Sequence, residues 1–241
     1  MAGKGLVYKI NYVRIYIIRF ARPFIASSTG FKSSGVPCYS LVGKFVERED
    51  ITPTLSDLIT RSSLALRSVE VDFAVDSSGS GVKTNVITGV EINMGGDSPQ
   101  FIPLAEKTHN AGFTIDEMSA DKAYSSIDNN AYIDQIGGTP YIAFRSNASG
   151  KPRGNNHIWR KMYNYFVYNR EEFLQHYHLR SNGESTNNMI KSKTTDMVRS
   201  KDKIAQINEV LLKVLCHNIC VLISAMFELG IEPNLINDAI Y

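Results

Sequence analysis

Cysteine is scarce in this chain. The 241 residues hold three, Cys38, Cys216 and Cys220, too few and too unevenly spaced for a disulfide framework. Cys216 and Cys220 lie four apart on an apolar helical pattern, which predicts buried thiols and a reducing cytoplasm. His217 between them has no fourth ligand at zinc-site spacing, so a structural zinc is not expected. Long uninterrupted apolar runs are also missing. Lys9, Asn11 and Arg14 break Leu6–Ile18, and no small-residue cleavage site follows cleanly, so no signal peptide is expected. Val210–Leu229 is more apolar, yet Lys213, His217 and Asn218 fall inside it; it reads as a long core helix, with no membrane partner. Repeats and low-complexity tracts are absent, and the length suits one sizeable core with a small accessory region.

Charge is present but sorted. The formal net charge of +2 combines a basic residue range 1–70 (ten Lys/Arg, five Asp/Glu) with an acidic range 71–144 (three against ten). Range 145–203 is basic again (twelve against five), and the remainder is mildly acidic (one against four). Basic segments on both sides of an acidic one fit a polyanion-binding protein whose acidic centre holds cations. Unevenly spread surface charge is the plainer reading of the same numbers.

Periodicity divides the chain into helices, a β-rich centre and helices. Leu41, Val42, Phe45 and Val46 recur at helical spacing, and a second helix runs from Thr54 to about Leu66 behind Pro53. Alternation then predicts a strand over about 69–76, ended by Asp76-Ser77-Ser78-Gly79. A β-branched run (Thr84–Ile92), a strand over Thr114–Ala120 ending at Asp121, and a strand over Pro140–Arg145 follow. Helices are expected from Ser98 to about Ala111 and over Ser126–Ile136 between them. The last third reads as four helices, His157–Tyr168, Arg170–Tyr177, Ser181–Ser192 and Lys203–Leu229. This order predicts an α/β fold with a ribonuclease H-like core, a short mixed sheet flanked by helices. The expected domains are a mostly helical region 1–66, a catalytic domain 67–232 and a tail 233–241.

The densest chemical signal is Tyr177-x2-Arg180-x3-Glu184-x6-Lys191, a spacing that arises by chance in about one sequence in a thousand of this length. Upstream, Asp76 and Asp121 each end an apolar, strand-like segment. Two acids on strand ends and a third on a helix are how a protein holds paired divalent cations for phosphodiester chemistry. Oxygen ligands without nearby His or Cys favour magnesium or manganese over zinc. Each residue also has a plainer role: Asp76 as a turn residue, Asp121 as a helix cap, Glu184, Arg180 and Lys191 as solvated side chains. Trp159, Tyr163, Tyr165, Phe166 and Tyr168, interleaved with Arg160 and Lys161, read as a helix burying one aromatic face or as a platform for unpaired bases. Tyr124 reads as packing.

Four stretches, VDFAVDSSG (Val71–Gly79), SADKAYSS (Ser119–Ser126), TPYIAFRSNA (Thr139–Ala148) and HYHLRSNGESTNNMIKSK (His176–Lys193), resemble DDE-type insertion-sequence transposases of the bacterial group marked by a Tyr-Arg-Glu-Lys signature. The resemblance covers most of residues 37–230. It implies that Asp76, Asp121 and Glu184 form a catalytic triad holding two Mg2+ (or Mn2+) ions. Tyr177, Arg180 and Lys191 would support the triad and contact DNA. It further implies cleavage of transposon-end DNA to free a 3′-hydroxyl, then strand transfer into target DNA. The implied partners are double-stranded DNA, as inverted-repeat ends and target, and a second copy of the chain when two ends are held. The implied location is the cytoplasm, at the nucleoid.

Three features depart from that pattern. Gly79-Ser80-Gly81 joins the segment at Asp76 almost directly to the next β-branched run, which predicts a sheet short of a strand or two. Gly183 replaces a β-branched residue and predicts a loosened catalytic helix, at about 1 kcal/mol. Asn187 replaces an aromatic residue and predicts a lost core anchor. These departures leave a catalytically impaired, truncated remnant that only binds DNA as the alternative.

Overall fold

A computed structural model describes residues 39–92, 98–151 and 156–231. The alternating N-terminal stretch, Cys38 and the tail 233–241 lie outside the described residues. The described helices are α1 (Tyr39–Val46), α2 (Thr52–Leu64), α3 (Phe101–Asn110), α4 (Ile127–Gln135), α5 (His157–Tyr168), α6 (Arg170–Tyr177), α7 (Ser181–Thr194) and α8 (Lys203–Glu228). The strands are β1 (Asp72–Val75), β2 (Ser78–Gly81), β3 (Ile87–Val90), β4 (Glu117–Ala120) and β5 (Thr139–Ile142).

The strands form one mixed five-stranded sheet in the order β3-β2-β1-β4-β5. β1, β4 and β5 are parallel, and β2 and β3 fold back as an antiparallel hairpin beside β1. The expected loss of a strand is therefore corrected. Ser78–Gly81, a connection by composition, is itself a strand. Its residues are all buried, and they are small because neighbours come close. A Cβ on Gly79 would stand 3.4 Å from the Thr108 hydroxyl of α3, and one on Gly81 would stand 2.4 Å from the Glu70 carboxyl carbon. Tertiary crowding has overridden strand propensity here.

Strand alternation sorts the two faces. Phe73, Val75, Met118, Ala120 and Ile142 point to one side, where they pack with Phe101, Leu104 and Ala105 of α3 and Ile133 of α4. Ile87 points to the other, against Leu55 and Ile59 of α2 and Leu211, Val214 and Leu215 of α8. Tyr141 on that same side meets Ile158, Trp159 and Met162 of α5 and Phe173 of α6. The result is a mixed sheet with helices on both faces and a long C-terminal helix. Although α2 falls in the expected N-terminal region, it shares its core with α8.

By length and composition, α8 could cross a membrane. Its buried side chains nevertheless run from Ala205 to Ala225. Cys216 is buried, Cys220 half-buried, and both are free thiols. Asn218, also buried, treats the sheet edge as a strand would: its side-chain oxygen accepts from the Ile87 amide (2.9 Å) and its Nδ2 donates to the Ile87 carbonyl (2.8 Å). The same Nδ2 reaches Ser62 Oγ of α2 at 3.0 Å. An edge strand otherwise presents such groups unpaired, each costing about 1–3 kcal/mol when buried. His217 is buried too, with Nε2 2.8 Å from the Asn85 carbonyl and Nδ1 without a partner. The carbonyl can only accept, so Nε2 carries the proton, and burial pushes the imidazole below its ordinary range.

α5 buries Ile158, Trp159 and Met162 and leaves Arg160, Lys161 and Tyr168 exposed. Its Trp159 Nε1 donates to the Ser149 carbonyl at 2.8 Å. Most of the aromatic stretch is thus core, with Tyr168 (80% exposed) the residue left for contact.

Candidate functional site

The two aspartates sit where parallel strands end side by side. Val75 is in register with Ala120, so Asp76 and Asp121 leave the C-terminal ends of neighbouring strands, which run about 4.8 Å apart. Alternation turns Asp72, Ala74 and Asp76 to one face, as it does Glu117, Ser119 and Asp121. Both aspartates are half-buried. The turn behind Asp121 is pinned from several sides. Asp121 Oδ1 accepts from the Ala123 amide (3.0 Å), so its capping role is real. Asn129 Nδ2 donates to the Tyr124 carbonyl (2.7 Å), and Arg145 Nη2 to that of Ala123 (2.8 Å). Tyr124 packs beside Phe101 in the core, and its hydroxyl donates to the Asp76 carbonyl. It therefore ties one strand end to the other.

α7 lies over β1 on the same face. The close approach is made by Gly183: a Cβ there would stand 3.4 Å from the Asp76 Cβ and 3.7 Å from that of Ala74. Gly183 marks where the helix touches the sheet. Because 3.4 Å is ordinary contact, Gly183→Ala is expected to stabilise the fold by about 0.5–1 kcal/mol through helix propensity. Urea denaturation measures this, and a less stable alanine variant would show that β1 and α7 cannot accommodate the methyl group.

Where the resemblance implies an aromatic anchor, Asn187 makes a polar contact: its Nδ2 donates to Asp76 Oδ2 at 2.7 Å and to Ser77 Oγ at 3.1 Å. The sequence offers one clue to this contact: Asn187 lies four residues after Gly183, so both face β1.

Glu184 is placed differently from the aspartates. Its side chain is 55% exposed and pairs with Arg180 Nη1 at 2.5 Å, one turn back. The Arg180 guanidinium rests over the Tyr177 ring (5.4 Å), and Tyr177 in turn lies near-parallel to Phe173. Arg180 Nε is buried without a hydrogen-bond partner. Lys191 is exposed, two helical turns beyond Glu184 on the same side of α7. Tyr177, Arg180 and Glu184 are therefore brought together, with Lys191 along the helix.

The residue just before the signature is anchored at the opposite end of the same strands. His176 Nδ1 lies 2.8 Å from Glu117 Oε2, and its ring stacks on Tyr141 at 4.4 Å. Asp72, in register with Glu117, is pushed above the usual carboxylate range by burial and by neighbouring Glu117, Asp116 and Glu70.

The aspartate pair places hard oxygen donors, the type that divalent cations such as magnesium prefer, on neighbouring strand ends. Glu184 follows Gly183 directly, so its backbone is beside Asp76, while its carboxylate is held by Arg180. Among the described residues, no group of three or more His, Cys, Asp or Glu converges as metal ligands. The geometry thus supplies two adjacent acids, a third within one residue of the contact, and a guanidinium paired with that third acid. In comparisons with family models, curated proteins and solved structures, nothing matches this chain.

Proposed function

We propose that this chain is a metal-dependent phosphodiester-cleaving enzyme of the DDE transposase kind, on a ribonuclease H-like core. The observation that carries the reading is the placement of Asp76 and Asp121 at adjacent ends of β1 and β4, with α7 packed onto Asp76. The sheet order, with a hairpin beside three parallel strands, supports the fold assignment. Asp76, Asp121 and Glu184 would hold Mg2+ or Mn2+. Such cations, when bound, stabilise charge on the scissile phosphate and lower the pKa of water.

The chain's own residues do the rest. Tyr124 fixes the Asp76 backbone, and the cap at Asp121 fixes its turn. Arg180 steers the Glu184 carboxylate, and Tyr177 supports Arg180 from below. Exposed Lys191 extends positive charge along α7 toward a DNA backbone. Double-stranded DNA is the proposed substrate, held by two copies of the chain when two ends are joined.

The Glu184–Arg180 pair favours a second reading, a remnant that binds DNA without cutting it. A supercoiled plasmid carrying the DNA that flanks the gene separates the two. The enzyme reading expects nicks with 3′-hydroxyl ends that need Mg2+ or Mn2+ and stop with a chelator. Salt-dependent binding without cleavage at any metal concentration leaves the remnant reading standing, and neither binding nor cleavage removes both.

A further inference from the structure

We propose that Asn187 is a positioning residue for the Asp76 carboxylate and, through it, for the divalent cation; this rests on the metal-dependent reading above. Asp76 is half-buried at the end of β1, just before exposed Ser77. The Tyr124 hydroxyl holds its backbone carbonyl, and Asn187 Nδ2 restrains the carboxylate itself, donating to Oδ2 at 2.7 Å. A carboxylate only accepts, so the amide nitrogen must be the atom that faces it. The donor comes from a rigid element, since the close approach at Gly183 sets the position of α7 against β1.

The chemistry of the donor points to function more than to packing. A Lys or Arg at this position would offset the carboxylate's negative charge, as Arg180 does at Glu184. An amide orients the carboxylate and leaves its full charge in place. Asn187 also sits three residues after Glu184, on the same side of α7. One helical turn thus carries the third acid and the group that aims the first.

Mn2+ binding to the full chain, measured by calorimetry and by electron paramagnetic resonance, tests this without any turnover. Asn187→Leu removes the donor while keeping the branched shape and is expected to weaken Mn2+ binding about tenfold. Asn187→His, whose Nδ1 can occupy the place of the amide nitrogen, is expected to restore most of it. Asn187→Ala is measured alongside, so that a leucine variant that does not fold leaves the question answerable. A purely structural role would lower the melting temperature and leave the Mn2+ dissociation constant alone, which overturns the inference. Wild-type protein whose Mn2+ binding ignores Asp121→Asn overturns the metal reading itself. Asp121-dependent binding that is equal in Asn187→Leu overturns the positioning role alone.

Discussion

Asp121→Asn is expected to cut metal-dependent nicking by a factor of about a thousand or more, while leaving the fold nearly as stable as before. The two effects separate because the proposed chemistry gives Asp121 a second job besides its cap. Its Oδ1 caps the short turn at Ala123, and an asparagine oxygen caps as well as an aspartate one. What asparagine cannot supply is charge for a cation. Losing a charged ligand removes several kcal/mol of transition-state stabilisation, and each 1.36 kcal/mol is about tenfold in rate. Nicking rates and thermal melts on the same preparations provide the check. A variant that keeps a tenth of the wild-type rate would remove Asp121 from the proposed chemistry.

The second large effect is structural. Gly81→Ala is expected to cost about 3 kcal/mol, because the new methyl meets a carboxylate that cannot retreat cheaply. The Glu70 side chain is buried and accepts from the amides of Lys83 and Thr84 in the β2–β3 turn. A Cβ on Gly81 would lie 2.4 Å from its Cδ. Moving Glu70 aside breaks both bonds and strands a buried charge. At this chain length the loss corresponds to a melting temperature lower by roughly 6–12 °C. Glu70 supplies an internal control. In a Glu70→Ala background the clash disappears, so Gly81→Ala should cost less than about 1 kcal/mol there. Additive costs in the double variant would refute the proposed collision.

The same collision explains what could be read along the chain and what could not. β1 and β4 were legible because Phe73, Val75, Met118 and Ala120 alternate with residues of another kind, and the acids follow directly. α5 and α6 were legible to the residue, since Asn156 caps the first at Trp159 and Asn169 separates the two. β2 was hidden because its side chains are chosen by Glu70 from before the sheet and Thr108 from a later helix, neither visible in a local window. The contacts of Gly183 and Asn187 were hidden for the same reason: both meet Asp76, more than a hundred positions away. The Arg180–Glu184 pair is the opposite case, since a spacing of four on a helix brings such side chains together whatever the fold.

Asn218 has a consequence for how the protein is made. Its two bonds complete the outer edge of β3 at Ile87, 131 positions earlier in the chain. At a ribosome's pace of about 5–20 residues per second, that edge waits roughly 7–26 seconds for its partner to emerge. During that interval the nascent hairpin offers an open rung to any other extended peptide, including a second nascent copy on the same messenger. Synthesis of α8 is thus what closes that rung of β3 to strangers.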